Sequence, residues 1–267
     1  MTNITIVITL HPQHTTTANL LAAFQRADAL GVDTIWTWDH FFPITGDLDG
    51  SSFEAWTILA ACGVQTERAN IGCLVHGIGY RNPALLSAMA KTLDHFLGGR
   101  LILGLGAGWT ERDFAEYGYE YGTAQSRLKD LERGVETIKT RWQIDQPPPP
   151  RGSVPIMIGG SGEKVTLRIA ALHADLWHSS TPPEEWGRKN AILNEWCAKV
   201  GRDPGEIRRS ASISDHRFDP PDNNHETLIA RAEEFVAVGV NDFIFGLGDP
   251  FDMTAVEILL QWRDANA

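Results

Sequence analysis

Residues 82–109, NPALLSAMAKTLDHFLGGRLILGLGAGW, contain a helix and the strand that follows it. Pro83 stands in the first turn of the predicted helix, where the missing amide hydrogen is not needed, and the helix runs to Leu97. Gly98 and Gly99 end it, and residues 100–105 form the predicted strand. Glycines alternate at the end of this strand, in LGLGAGW. The stretch therefore predicts an α/β fold in which a strand leads into a glycine-rich loop.

The same alternation extends over the whole chain. Strands are predicted at residues 4–10, 34–37, 70–75, 100–105, 155–158, 175–178, 207–212 and 242–245. Helices are predicted at residues 16–30, 52–64, 83–97, 163–173, 184–200, 226–238 and 254–264, with a longer, partly irregular helical region ending at 142. Eight such units in 267 residues predict one domain over residues 1–267, a closed (β/α)8 TIM barrel. An open doubly wound sheet rarely needs eight units, and no GxGxxG motif follows the first strand.

Composition narrows the functional class. The formal net charge of -11 argues against nucleic-acid binding and against binding to anionic membranes, because both depend on lysine and arginine. The three cysteines, Cys62, Cys73 and Cys197, are an odd number at unrelated spacings, which favours a reducing cytoplasm. The first residues, MTNITIVITLHPQ, predict a strand and not a signal peptide, and no apolar stretch approaches the roughly 20 residues of a membrane span. We expect a cytoplasmic protein that binds neither nucleic acid nor anionic membranes.

Candidate functional residues lie just after the strands, because the active site of a TIM barrel is at the carboxyl ends of its strands. Bulky or titratable side chains stand there at His11, Trp38, Asp39, His40, His76, Trp109, Trp177 and His178. Any one of them could instead be structural, either as a hydrogen-bonded histidine or as a tryptophan that packs at the barrel rim. Their clustering at strand ends favours a functional site.

Two glycine-rich stretches follow the strands at 100–105 and 155–158. In the first, Gly106 and Gly108 allow the backbone to approach a ligand, or alternatively serve packing inside the barrel. The second, GGSGEK at 159–164, lies between a strand and a helix, so its backbone amides predict an anion site such as a phosphate site. Ser161 could add a hydroxyl group to this site and Lys164 a positive charge.

Three motifs in this order resemble the bacterial luciferase-like monooxygenase superfamily, in its branch that uses the deazaflavin coenzyme F420. They are WDHF at 38–41, GYRNPALLSAMAKTLDHFLGGRLILGLGAGW at 79–109 and PIMIGGSGEKVTLRIAALHADLW at 155–177. The resemblance implies a (β/α)8 barrel that binds an isoalloxazine-type ring at its mouth. It also implies hydride transfer between that ring and a small organic substrate.

Carried over to this sequence, the resemblance implies a role for each matched position. His40 is the candidate proton donor or acceptor. Around the cofactor ring we expect Asp39 at the ring edge, Cys73 and Leu74 at a non-prolyl cis peptide behind the ring, and Gly106, Ala107 and Gly108 beside the ring. The cofactor phosphate is expected at Gly159, Gly160 and Ser161. By their positions at strand ends, and not by the resemblance, we expect the substrate pocket to comprise His11, Trp38, His76, Trp109, Trp177 and His178. Trp109 stands where some deazaflavin dehydrogenases have an acidic proton donor, so their sugar-phosphate chemistry is not implied.

Other functions remain open at this point. A reduced-flavin (FMNH2) monooxygenase would use the same barrel mouth, and a cofactor-binding protein without turnover would too. A metal-dependent hydrolase could use His11, His40, His76 and His178, but the first strand lacks an HxH pair and no strand ends in a bridging lysine, so we expect no metal. The resemblance favours a homodimer through the second and third helices. DHRFDPPDNN at 215–224 is predicted to be an exposed loop, and the sequence does not decide whether it is a lid or name the substrate.

Overall fold

The computed structural model describes residues 4–214 and 224–266. Within these ranges the strands are β1 Thr5–Leu10, β2 Thr34–Thr37, β3 Asn70–Cys73, β4 His76–Gly77, β5 Leu101–Gly106, β6 Ile156–Gly159, β7 Leu176–Ser179, β8 Arg208–Ser214 and β9 Asp242–Leu247. The α-helices are α1 Thr17–Leu30, α2 Ala55–Gly63, α3 Pro83–Phe96, α4 Glu111–Glu116, α5 Ala124–Ile144, α6 Thr166–His173, α7 Pro183–Val200, α8 His225–Ala237 and α9 Thr254–Ala265. The loop predicted at 215–224 lies outside the described residues except for Asn224, which caps α8.

The strands close into a parallel barrel. Each strand pairs with its neighbours in the order β3-β2-β1-β9-β8-β7-β6-β5-β4, and β3 also pairs with β5, which completes the circle. The short strands β3 and β4 share one position, since both pair with β5. The predicted single-domain (β/α)8 TIM barrel is therefore confirmed.

Local sequence explains why several element boundaries differ from those predicted. The second helix begins at Ala55 and not at residue 52, because the Glu54 carboxylate caps it by accepting hydrogen bonds from the backbone of Trp56 and Thr57. The helical region that ends near residue 142 is divided into α4 and α5, with Gly118 and Gly122 between them at positive φ. No helix in the described ranges is long and apolar enough to cross a membrane.

Inward-facing side chains fill the base of the barrel. Trp36 lies at its centre and packs with the apolar residues Val7, Ile102, Met157, Leu176 and Ile244. A Cβ at Gly72 would lie 2.3 Å from the Trp36 ring, so only glycine leaves room for this indole. These side chains fill the interior of the barrel below its carboxyl-terminal mouth.

The third barrel strand is interrupted above this base. Regular pairing stops at Cys73 and resumes at His76, with a cis peptide between Leu74 and Val75, so the predicted strand 70–75 is too long and the cis bond lies one residue beyond the predicted position. A Cβ at Gly106 would lie 2.5 Å from a Val75 methyl carbon, and one at Gly159 would lie 2.8 Å from the other. These two glycines accommodate Val75, whose side chain reaches into the barrel.

Candidate functional site

A cavity of about 510 Å³ opens at the carboxyl ends of the strands, within the size range of small-molecule sites. Thirteen of the sequence-predicted site residues line it: His11, Trp38, Asp39, His40, Leu74, Gly106, Ala107, Gly108, Trp109, Gly159, Gly160, Ser161 and His178. The structure therefore brings together residues from six of the predicted strand ends.

Three predicted site residues do not line the cavity. Side chains alternate along a strand, so Cys73 and Trp177 point outward into the layer between strands and helices, where both are fully buried. Trp177 packs on Trp186 and donates a hydrogen bond to the Gly160 carbonyl. His76 is 1% exposed and stacks on Trp56, with ring centroids 4.5 Å apart. The prediction that Cys73, His76 and Trp177 line the site is therefore wrong.

His40 is held by a carboxylate from another part of the chain. Its Nδ1 lies 2.7 Å from Asp113 Oδ2 and 3.3 Å from the Thr110 hydroxyl. A carboxylate accepts only, so Nδ1 carries a hydrogen and Nε2 is the nitrogen left for a ligand in the cavity. Trp109 meets the imidazole edge-on with centroids 5.3 Å apart and limits its movement.

Asp113 is the centre of this arrangement. It is fully buried at the start of α4 and also accepts hydrogen bonds from the Tyr80 hydroxyl, at 3.2 Å, and from the Phe41 backbone amide, at 3.1 Å. Burial, together with the negative charge of Asp113, raises the pKa of Tyr80, so this phenol stays a donor. Sequence reasoning missed Asp113, although TERDF directly after the glycine-rich loop places an acidic residue in the first turn of a helix at the mouth.

Asp39 belongs to a second, separate network. Arg81 donates to both of its carboxylate oxygens, at 2.6 and 3.0 Å, and also binds Glu54 at 2.7 Å. His76 Nδ1 lies 3.2 Å from Asp39 Oδ2, without the alignment of a hydrogen bond. Burial alone would raise the pKa of Asp39, but the contacts with His76 and Arg81 outweigh it and lower that pKa. The cavity wall therefore presents a fixed carboxylate, and sequence reasoning missed the arginine and Glu54 that maintain it.

The loop at 159–164 presents amide groups to the cavity. The carbonyl of Gly160 accepts from Trp177, and that of Ser161 accepts from the buried ammonium of Lys189, at 3.0 Å. In a trans peptide the N–H points opposite to the carbonyl. The amide of Ser161, a residue that lines the cavity, therefore points toward it, and the neighbouring amide of Gly162 points away from Lys189. Both lie close to the start of α6, where backbone amides can bind an anion.

A hydroxyl-rich wall follows this loop around the mouth. His178 lies between the hydroxyls of Ser210 and Ser180, each 3.1 Å from one ring nitrogen. Ser179, Ser180, Thr181 and Ser212 contribute to the same side of the cavity. This side can hydrogen-bond a polar group without adding charge.

The opposite side is aromatic. His11 stacks on Trp38 with ring centroids 4.2 Å apart, and Trp109 is 56% exposed at the rim. Among the described residues, the cluster whose ligand atoms could converge on one metal ion is Glu132, Glu136 and His173, on α5 and α6. None of these three lines the cavity, so the geometry does not favour the metal-dependent hydrolase.

Comparison with known proteins agrees with this description. Residues 2–236 match the family model described as luciferase-like monooxygenase. A phthiodiolone/phenolphthiodiolone dimycocerosates ketoreductase of Mycobacterium tuberculosis is 27% identical over 259 residues, covering 82% of this chain and 66% of the relative.

Two solved structures are similar in fold. An F420-dependent secondary alcohol dehydrogenase, solved with an F420–acetone adduct, has a TM-score of 0.84 at 18% identity and covers 97% of this chain and 98% of its own. The oxygenating constituent of 3,6-diketocamphane monooxygenase from Pseudomonas putida, in complex with FMN, has a TM-score of 0.64 at 17% identity, covering 78% of this chain and 67% of its own.

Proposed function

Because the chain belongs to the luciferase-like monooxygenase family, we propose that it is an oxidoreductase that uses coenzyme F420 and acts on a small organic substrate. The observation that carries the proposal is His40, which Asp113 holds with one nitrogen left for the cavity that the glycine-rich loop also lines. The alternative is a reduced-flavin monooxygenase with FMN at the same mouth.

The cavity fits a flat ring with a phosphate-bearing tail. Val75 and the backbone at Gly106 and Gly159 form a surface with few projecting side chains. The amides of Ser161 and Gly162 would hold the phosphate, and the hydroxyl-rich wall beside them would bind polar parts of the tail. Asp39, as a fixed carboxylate, would accept a hydrogen bond at the ring edge.

When bound, the deazaflavin supplies hydride chemistry, and the protein supplies orientation and a proton. His40 Nε2 would give a proton to the substrate oxygen, or take one from it, while Asp113 keeps the imidazole in position. Trp38 and Trp109 would exclude water from the reacting atoms. A carbonyl or alcohol is the substrate class that needs one proton at this place.

F420 is preferred to FMN for two reasons. The F420-dependent alcohol dehydrogenase matches the fold more closely than the FMN-bound monooxygenase does, with TM-scores of 0.84 and 0.64. In addition, the printed activity of the ketoreductase relative is a carbonyl reduction and not an oxygenation. Oxygen consumption with FMNH2 would instead support the alternative.

A fluorescence titration tests the proposal. We expect F420 to bind saturably, and the same deazaflavin chromophore without its phosphate tail to bind more weakly because it cannot use the loop amides. FMN is the matched competitor. Absence of binding at F420 concentrations of tens of micromolar would refute the proposed function. Equal affinity for the two deazaflavins would show that the loop does not bind the phosphate tail.

We also propose a homodimer. Helix α3 exposes Leu85, at 56%, and Phe96, at 74%, which lie three turns apart on one face. Val64, directly after α2, is also exposed. Sedimentation should give twice the chain mass, and Phe96→Asp should halve it; a monomeric wild type would contradict the proposal.

A cytoplasmic location is likewise a proposal. Its support is that Cys62, Cys73 and Cys197 are all free and buried. Fractionation of cells that express the native chain would test it.

A further inference from the structure

We propose that a second cavity, next to the first, receives the non-reacting part of the substrate, and that this part is an uncharged, mainly apolar chain. The inference rests on the proposed function, because the reacting end of the substrate is taken to lie in the main cavity beside His40. It concerns residues at the ends of β1 and β9 to which the function assigns no role.

The two cavities share a wall. The second one has a volume of about 410 Å³, and His11 lines both. Neighbouring residues continue from one to the other, since Ile44 and Gly246 line the first while Thr45 and Leu247 line the second. A space of this size is far larger than the packing defects of a protein interior.

The floor of the second cavity is apolar. Phe245 and Leu247 face outward from β9, and Pro250 lies in the loop after that strand. Burying an alkyl chain against such a surface is favourable in proportion to the apolar area removed from water. Substrates should therefore bind more tightly as their chain lengthens.

The rim of the cavity repels anions. Asp249 accepts hydrogen bonds from Thr15 and Asn19, and Asp252 accepts them from Thr254, and in each case these bonds lower the pKa of the carboxyl group. Both groups are therefore ionised at neutral pH. The described lining itself contributes no lysine or arginine, and Arg26 outside it also lowers the pKa of Asp252. Asp249 is therefore the carboxylate that mainly disfavours a phosphorylated or carboxylated tail.

The loop that contains Ile44 and Thr45, between the two cavities, is held by hydrogen bonds. The Gln13 amide donates to the hydroxyl and carbonyl of Thr45 and accepts from the Ile44 backbone, which fixes the loop between the cavities. Gln13 is 4% exposed. The loop therefore keeps the second cavity open rather than collapsing into it.

Gly248 controls the width of this space beside His11. A Cβ at Gly248 would lie 3.5 Å from His11 Nδ1, an ordinary contact, and its φ is not positive. Alanine therefore fits, whereas the two further methyl groups of valine would occupy the space between His11 and the apolar floor. Gly248→Val is the test variant and Gly248→Ala its matched control.

The test measures binding of linear methyl ketones to the purified protein by saturation-transfer NMR, without cofactor or turnover. From 2-butanone to 2-decanone we expect affinity to rise at least about tenfold for wild type and Gly248→Ala. In Gly248→Val the rise should vanish while 2-butanone binds as before. Equal affinity for both ketones in wild type, or a full rise in Gly248→Val, would overturn the inference.

A second measurement does not depend on a variant that folds. A ketone with a diazirine at the far end of its chain should label residues 245–252, and labelling of 159–161 instead would overturn the inference. An F420 titration of the same samples keeps the two proposals distinct. Loss of F420 binding with intact ketone selectivity would refute the proposed function alone, and the reverse result would refute only the second cavity.

Discussion

Asp113→Asn is the substitution that probes the site most sharply, because it preserves side-chain volume and removes only the charge. Three donors converge on the carboxylate: His40 Nδ1, the Tyr80 hydroxyl and the Phe41 amide. His40 and Tyr80 both donate to Oδ2, so an asparagine carbonyl at that position keeps two bonds and loses the one from Phe41, whereas a carbonyl at the Oδ1 position loses the other two. Hydrogen bonds to charged groups contribute about 1.5–3 kcal/mol each, so losing one or two of them should cost about 1.5–6 kcal/mol of unfolding free energy.

The effect on turnover should exceed the effect on cofactor binding. Without the carboxylate, His40 is free to take the other tautomer and to rotate, and general acid–base catalysis contributes about 10²–10⁴-fold to rate. We expect ketone reduction with reduced F420 to slow by a factor in this range, while the affinity for F420 changes little. Urea unfolding and steady-state kinetics on the same preparation give the two numbers.

The control is the double variant with His40→Ala. If Asp113 acts through His40, Asp113→Asn should slow the His40→Ala enzyme no further, because the two residues form one unit. Near wild-type turnover in Asp113→Asn, or rate losses that add in the double variant, would refute this reasoning.

Three further predictions follow from the described contacts. Gly106→Ala should destabilise the protein by about 1–3 kcal/mol in urea, because its Cβ would meet Val75, and Val75→Ala in the same chain should restore most of this loss; no rescue would contradict the packing role of the glycine. Arg81→Met should leave Asp39 buried without its main partner and cost about 3–5 kcal/mol at neutral pH. Folding lowers the pKa of Asp39, so the ionised carboxylate stabilises the wild-type protein at neutral pH, and this stabilisation is lost as pH falls through the folded pKa. The free energy of unfolding in urea should therefore fall less on acidification in Arg81→Met than in wild type. The same fall in both proteins would contradict this. Lys189→Met should weaken F420 binding more than binding of the tail-free deazaflavin, because the ammonium fixes a loop carbonyl; an equal loss for both would not fit.

The sequence alone predicts the barrel because closure depends on a repeated pattern. Eight alternations of strand and helix are visible in the residues themselves, and the structure confirms them. Element ends are less predictable because side-chain contacts decide them, as Glu54 does for α2. The interruption after Cys73 depends on how Val75 fits against Gly106 and Gly159, which are distant in the chain.

The residues of the site, like the element ends, are predictable from the sequence only where local position decides them. Strand ends are local features, so most of the cavity wall was found by position. Trp177 was misplaced because neighbouring strand residues face opposite sides, and which one faces inward depends on the register of the closed barrel. Asp113 and Arg81 went unnoticed because their partners lie 73 and 42 residues away.

A crystal structure with bound F420 tests the central claim most directly. The account predicts the deazaflavin ring in the mouth against Val75, its phosphate at the amides of Ser161 and Gly162, and His40 Nε2 facing the ring side of the cavity. A ring bound elsewhere, or His40 turned away with Asp113 still bound to Nδ1, would contradict it.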